Sequence, residues 1–294
     1  MIPWGEALPL IARLLGELRI RADAVALGPR TIESDALTRT AALTRLLYEE
    51  CFIKGIDERE PPRQPADVEA FVARLSAANA GTGPRGGDGW RRRGEDAAGR
   101  TVVAKDGRRW SVPSACVFDR GDTVELRLTK DDPRTDQAYY LAYGDALEAG
   151  APARPRTRYY VHLEAAGAAP MVAAVTAALN RVAIPFSLKC FRDPHDYYRR
   201  DGMVAYVDSR CAAAADALLA ACARRPGALV RDPPPSLTRR LAPGLASVPD
   251  PPGESYGRRC CGLLARALLH ALEAGAPRAA TVVAAAAALE RELG

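Results

Sequence analysis

The chain has 294 residues, 48% hydrophobic and 26% charged, which is enough to close a sizeable core and excludes wholesale disorder. Forty-one basic against 36 acidic residues leave a net charge of +5. This mild excess suits an anionic substrate and falls short of the basic surface expected for nucleic-acid binding. Seven cysteines, an odd number with no CxxC spacing, argue against a disulfide framework and fit the reduced thiols of a cytoplasmic protein.

Glu6, Arg13, Glu17 and Arg19 interrupt the first twenty residues, which therefore read as neither a signal peptide nor a membrane span. Leu10, Leu14, Leu15 and Leu18 recur at helical spacing. A second helix is expected over about residues 34–55, with Leu37, Leu43, Leu46, Leu47 and Phe52 on its apolar side and Ser34 as its cap. Pro61, Pro62 and Pro65 break the chain before a third helix over about 66–78. Residues 1–80 thus read as a helical subdomain. Residues 81–99, rich in glycine and carrying Arg91, Arg92 and Arg93, read as a flexible loop. Residues 100–294 form the α+β part. TVVAK and RRWSV flank Asp106–Gly107, a hairpin signal, and TVELRLTK at 123–130 alternates as a half-buried strand. Tyr139, Tyr140 and Tyr143 fall in an irregular stretch ending in a short strand, and residues 151–156 read as a linker.

The stretch 158–206 organises the rest. Arg158, Tyr160, His162 and Glu164 share one face of a strand, and Tyr159, Val161 and Leu163 share the other. A helix follows, with Pro170 expected in its first turn. The strand IPFSLKC sets Ser187 and Lys189 opposite Phe186, Leu188 and Cys190. Strand–helix–strand order predicts a parallel pair with a right-handed crossover. GMVAYVD is a third strand, ending near Tyr206. A helix, a proline-rich loop over 226–253, a long helix capped by Ser255 and a last helix after Pro277 complete the chain. The fold class is α+β: a central mixed sheet flanked by helices, with an N-terminal helical subdomain.

A histidine, a lysine, arginines and a tyrosine on one sheet suit proton transfer on an anionic substrate, here β-elimination of phosphate from phosphoserine or phosphothreonine. That reaction needs a base for the α-proton, cations for the phosphate, an acid for the leaving oxygen and stabilisation of the enolate. Lys189 is the best base in the chain. A lysine serves as base when burial and neighbouring cations lower its pKa, and Arg158 and Arg199 are the candidate neighbours. His162 is either the acid or a histidine hydrogen-bonded within the sheet. Arg199 and Arg259 offer planar forks to phosphate oxygens, or are surface charge. Tyr206 either hydrogen-bonds the substrate or packs as a strand aromatic. His195 reads as a loop residue and His270 as structural. No P-loop, GxGxxG, HExxH or GxSxG is present, and three histidines without an acidic cluster do not make a metal centre.

RYYVHLE, TAALNRVAIPFSLKC, YYRRDGMVAYVD and GESYGRRCCGLLARAL, with LYEECFIKG and DQAYYLAYGD as weaker matches, resemble the HopA-type family of type III secretion effectors. Within it the chain is most similar to lyase subunits encoded beside lanthipeptide and thioamitide precursors in bacteria. That family resembles the bacterial phosphothreonine lyases. The resemblance implies Lys189 as base and His162 as general acid, at a place that is asparagine in many effector members. It implies Arg199 or its neighbour Arg200, Tyr206, and Arg259 or its neighbour Arg258 as phosphate ligands. Where the phosphothreonine lyases carry a lysine two residues before the histidine, this chain has Tyr160, so Arg158 or Lys130 would supply that charge. The implied product is dehydroalanine or dehydrobutyrine in a ribosomally made peptide that a separate kinase phosphorylates first. Neither metal nor organic cofactor is implied, nor a nucleic acid or membrane partner. The alternative is a non-catalytic effector-like protein that binds a phosphopeptide or a host protein.

Overall fold

The computed structural model describes residues 7–83, 85–96, 99–112, 114–132, 138–146, 155–250 and 254–293. Its first unit is α1 (Ala7–Glu17), a three-stranded antiparallel sheet of β1 (Leu18–Ile20), β2 (Ala24–Leu27) and β3 (Arg30–Glu33), and α2 (Arg39–Leu47). The sheet corrects the all-helical expectation. Ser34 lies ahead of α2, and Asp35 instead gathers the Leu37 and Thr38 amides at 3.0 and 2.8 Å. α2 widens into a π-helix over Tyr48–Phe52. α3 (Val68–Ala78), capped by Asp67, does not pack with α1 and α2; its Phe71, Val72 and Leu75 join the core of the main domain.

The glycine- and arginine-rich segment is not a loop. Arg85–Glu95 forms β4, the middle strand of a five-stranded antiparallel sheet with β5 (Thr101–Lys105), β6 (Arg108–Val112), β7 (Val117–Arg120) and β8 (Thr123–Arg127), in the order β6-β5-β4-β8-β7. Its ladder shifts register around Gly87 and Gly94, both at positive φ. Here glycine supplies bulges, which sequence composition alone does not distinguish from mobility. Trp90 on Trp110, with ring centroids 4.4 Å apart, then anchors a small core with Val103, Val112, Val124 and Leu126.

The central sheet contains β9 (Asp131–Asp132), β10 (Tyr139–Tyr143), β11 (Arg156–Val161), β12 (Phe186–Phe191), β13 (Met203–Asp208), β14 (Arg239–Ala242) and β15 (Leu245–Asp250), ordered β14-β15-β11-β13-β12-β10-β9. The helices are α4 (Ala165–Arg181), α5 (Ala212–Ala223), α6 (Tyr256–Glu273) and α7 (Arg278–Leu293). The fold class is α+β, but every pair in the sheet is antiparallel rather than mixed. β11 and β12 do run the same way across α4. β13 inserts between them, so neither pairs with the other. Residues 239–250 form a hairpin inside the expected loop, and Pro170 lies in the second turn of α4. Of the expected 151–156 linker, residues 151–154 lie outside the described residues.

Strand alternation divides the sheet as the sequence implies. Tyr159, Val161, Leu188, Cys190, Met203 and Ala205 face α3, α4 and α5. Tyr160, Val204, Tyr206 and Val248 face the N-terminal unit, α6 and α7. No described helix is long and apolar enough to cross a membrane, and all seven cysteines are free.

Candidate functional site

The face of the sheet turned toward the N-terminal unit carries most of the candidate residues. Antiparallel pairing fixes a row Leu141–Lys189–Val204–Tyr160 across β10, β12, β13 and β11. A second row contains Ser187, Tyr206, Arg158 and Val248. His162 follows β11 on the same face, two residues beyond Tyr160. Two strand spacings and two residue rises set its α-carbon about 12 Å from that of Lys189.

Lys189 and Arg199 stand on adjacent stacked rings. Tyr139 and Phe191, opposite each other on β10 and β12, stack at 5.2 Å. Lys189 Nζ lies 4.3 Å from the Tyr139 centroid, and the Arg199 guanidinium 4.8 Å from that of Phe191. Both are cation–π contacts, which hold a charge in place without neutralising it. Arg199 ends the 3-10 turn of Pro194–Tyr198 and closes its fork on Asp201, with both N–O distances 2.9 Å. Burial works against the Arg199 charge, but Asp201 outweighs it and holds the pKa above the ordinary value.

Asp201 is the electrostatic centre of the group. Its charge reaches Tyr48, Tyr139, Tyr160 and Tyr206. Burial pushes the Tyr48 hydroxyl up, the Asp201 charge adds to this, and the Arg199 charge opposes it. Tyr206 lies under two guanidiniums, Arg156 at 5.2 Å and Arg158 at 5.1 Å. Both arginines pair with Asp250. Arg158 Nη1 also donates to the Tyr160 hydroxyl at 3.3 Å. Arg158, one of the two cations expected to supply charge at the place of Tyr160, thus lies against that residue.

His162 is buried, 4% exposed. Its backbone is tied on both sides, the amide donating to Gly244 O at 2.9 Å and the carbonyl accepting from Arg231 N at 2.8 Å. Nδ1 lies 2.8 Å from Pro233 O, a contact that places a proton on Nδ1 and leaves Nε2 as the other functional nitrogen. Burial lowers its pKa; the Pro233 carbonyl opposes this, Arg200 reinforces it and Glu58 opposes it. Arg200 is itself buried, its amide donating to Ile53 O at 2.7 Å and its Nη2 to Glu58 at 2.6 Å. Arg199 and Arg200 therefore take different roles, one beside Lys189 and the other in reach of His162.

Two expected residues stand apart. Lys130 donates to Ser76 O and Asn79 O, both at 3.0 Å, and so closes the C-terminus of α3 at the far edge of the sheet. Arg259 is half-buried on α6 and does not line the cleft that opens beside Arg199; its neighbour Arg258 does. That cleft, ≈ 1020 Å³, runs between α2 with its π-helix and the Tyr198–Arg199 segment. Tyr48, Tyr139, Asp201 and Glu58 were not singled out from sequence. Asp201 directly follows the two arginines, and that RRD triplet was the available signal.

No curated protein matches the chain. The fold is similar to the effector protein from Pseudomonas syringae pv. tomato strain DC3000, at a TM-score of 0.52 and 13% identity over 97% of this chain and 93% of that one. A second similar structure is the effector protein from Pseudomonas syringae pv. syringae strain 61, at a TM-score of 0.49 and 12% identity, covering 96% and 91%. Residues 130–292, more than half the chain and all of the central sheet and its later helices, match the HopA1 effector protein family model, and the chain belongs to that family.

Proposed function

We propose that the chain is a phosphoserine/phosphothreonine lyase that eliminates phosphate from a ribosomal precursor peptide, leaving dehydroalanine or dehydrobutyrine. The reading is carried by one observation: an amine and an imidazole occupy one face of the sheet, with a guanidinium fixed on the ring stacked beside the amine's own ring. The Lys189 amine, once deprotonated, takes the α-proton, and the C–H electron pair becomes the Cα–Cβ double bond. The Cβ–O bond breaks and phosphate leaves with the electron pair of that bond. His162 gives a proton to the departing oxygen, and binding of the phosphate dianion favours the imidazolium this requires, against the effect of burial. Arg199 and Tyr206 hold phosphate and carbonyl oxygens. The substrate reaches the protein already phosphorylated, which requires a separate peptide kinase.

The second reading is a non-catalytic phosphopeptide- or host-protein-binding protein. The observation in its favour is that Arg158, Arg199 and Arg200 each already hold a carboxylate. Incubation with a phosphothreonine peptide, read by mass spectrometry, separates the two. Elimination removes the elements of phosphoric acid, whereas phosphatase action restores the hydroxyl. A peptide that stays intact and bound supports the second reading and overturns the first.

A further inference from the structure

The ≈ 1020 Å³ cleft beside Arg199 is far larger than a phosphorylated side chain requires, at the upper end of the volumes that enclose whole small molecules. Its walls carry Arg30, Arg45, Lys54, Arg199 and Arg258 against two carboxylates, Glu49 and Glu60. Four of the cations are partly spent: Arg30 and Arg45 pair with Glu49, Lys54 pairs with Glu50 at 2.9 Å, and Arg199 pairs with Asp201. Arg258 is different. It is exposed, its guanidinium lies 6.0 Å from the Tyr48 centroid, and among the described residues it meets no carboxylate at ion-pair distance. Each arginine fork has five donors, so one carboxylate partner leaves further N–H groups for a ligand. Ala41, Thr44 and Ile53 also line it, as does Leu37, which is 92% exposed. Tyr48 and Arg199 both line the cleft, and this is the wall it shares with the candidate site.

We infer that this cleft binds the stretch of peptide flanking the phosphorylated residue, and that it selects flanks carrying Asp or Glu. Extended chain advances about 3.3 Å per residue, so acidic side chains a few positions from the phosphorylated residue meet Arg258 first and Arg45 further along. The inference rests on the lyase reading only for the phosphorylated residue at its end. The preference for acidic flanks is read by binding alone.

The test is fluorescence anisotropy with three phosphothreonine peptides of equal length, flanked by glutamate, glutamine or lysine. Wild-type protein is compared with Arg258→Glu and Arg45→Glu, both exposed positions where the fold tolerates exchange. Wild type is expected to bind the glutamate peptide roughly five- to tenfold tighter than the glutamine peptide, with the gap closing at high salt. Arg258→Glu should lose that preference and gain affinity for the lysine peptide, a reversal that a purely structural arginine would not produce. Arg45→Glu should lose part of it. Equal binding of the glutamate and glutamine peptides, or an unchanged ranking in Arg258→Glu, overturns the inference. So does tighter binding of a single-stranded oligonucleotide than of the acidic peptide. If acidic flanks are preferred but no phosphate is eliminated, the cleft assignment stands and the lyase reading falls.

Discussion

Gly257 is the point at which α6 comes closest to the π-helix, and replacing it tests whether that contact positions Tyr48. A Cβ at 257 would sit 2.5, 2.7 and 2.9 Å from three atoms of the Phe52 ring. Phe52 cannot easily yield: it is 2% exposed and packs against Tyr48 at 5.8 Å, Tyr160 at 5.7 Å and Tyr256 at 6.3 Å. Overpacking of this kind costs about 1–3 kcal/mol, while exchanging glycine for alanine in a helix returns at most about 1 kcal/mol, and less within the first turn. Gly257→Ala should therefore lose about 1–2 kcal/mol in urea unfolding followed by circular dichroism. Because Phe52 stacks on Tyr48, phosphopeptide affinity should fall as well. Phe52→Leu removes the obstructing ring edge, and Gly257→Ala made on that background should cost at least about 1 kcal/mol less than it does alone. A Gly257→Ala protein as stable as wild type, or an equal cost in both backgrounds, would refute the argument.

Lys189→Ala should abolish phosphate release while leaving unfolding nearly unchanged, since the amine makes a ring contact and, among the described residues, no ion pair; a loss of about 10²-fold or more in single-turnover rate is expected for removal of a general base, and a smaller loss removes Lys189 from that role. His162 predicts a pH effect on stability. Its folded pKa is depressed mainly by burial, so unfolding takes up a proton between the unfolded value, about 6.5, and the lower folded one. Its stabilising effect is complete above about pH 6.5 and is lost as pH falls through the folded pKa. His162→Gln should flatten that acid limb of the urea midpoint, and parallel limbs in the two proteins would contradict the assignment. Lys130→Ala should cost about 1–2 kcal/mol through the two carbonyls it leaves unmet at the end of α3, yet leave phosphate release intact; a loss of turnover without loss of stability would return Lys130 to the site.

The face on which Lys189 and His162 stand was legible because strand alternation is a local property, and the alternation of Phe186, Leu188 and Cys190 against Ser187 and Lys189 leaves one arrangement that buries the apolar set. The partner of each strand was not legible. Whether β11 pairs with β12 or admits β13 depends on contacts between residues tens of positions apart. Glycine in β4 was misread for a related reason: a bulge and a loop share a composition, and only the Trp90–Trp110 contact across the sheet tells them apart. Among the arginines, sequence offered two pairs of neighbours. Local geometry separates them, because Asp201 captures Arg199 while Glu58, far away in the chain, captures Arg200.

The insertion of β13 between β11 and β12 orders events during synthesis. A nascent chain that has emerged only as far as Phe191 holds both Lys189 and His162 but no sheet to join them, since each of their strands lacks the neighbour that bonds it to the other. The proposed proton-handling pair is therefore assembled by the last of the three strands to leave the ribosome, and incomplete products that end before Met203 lack the strand that joins it.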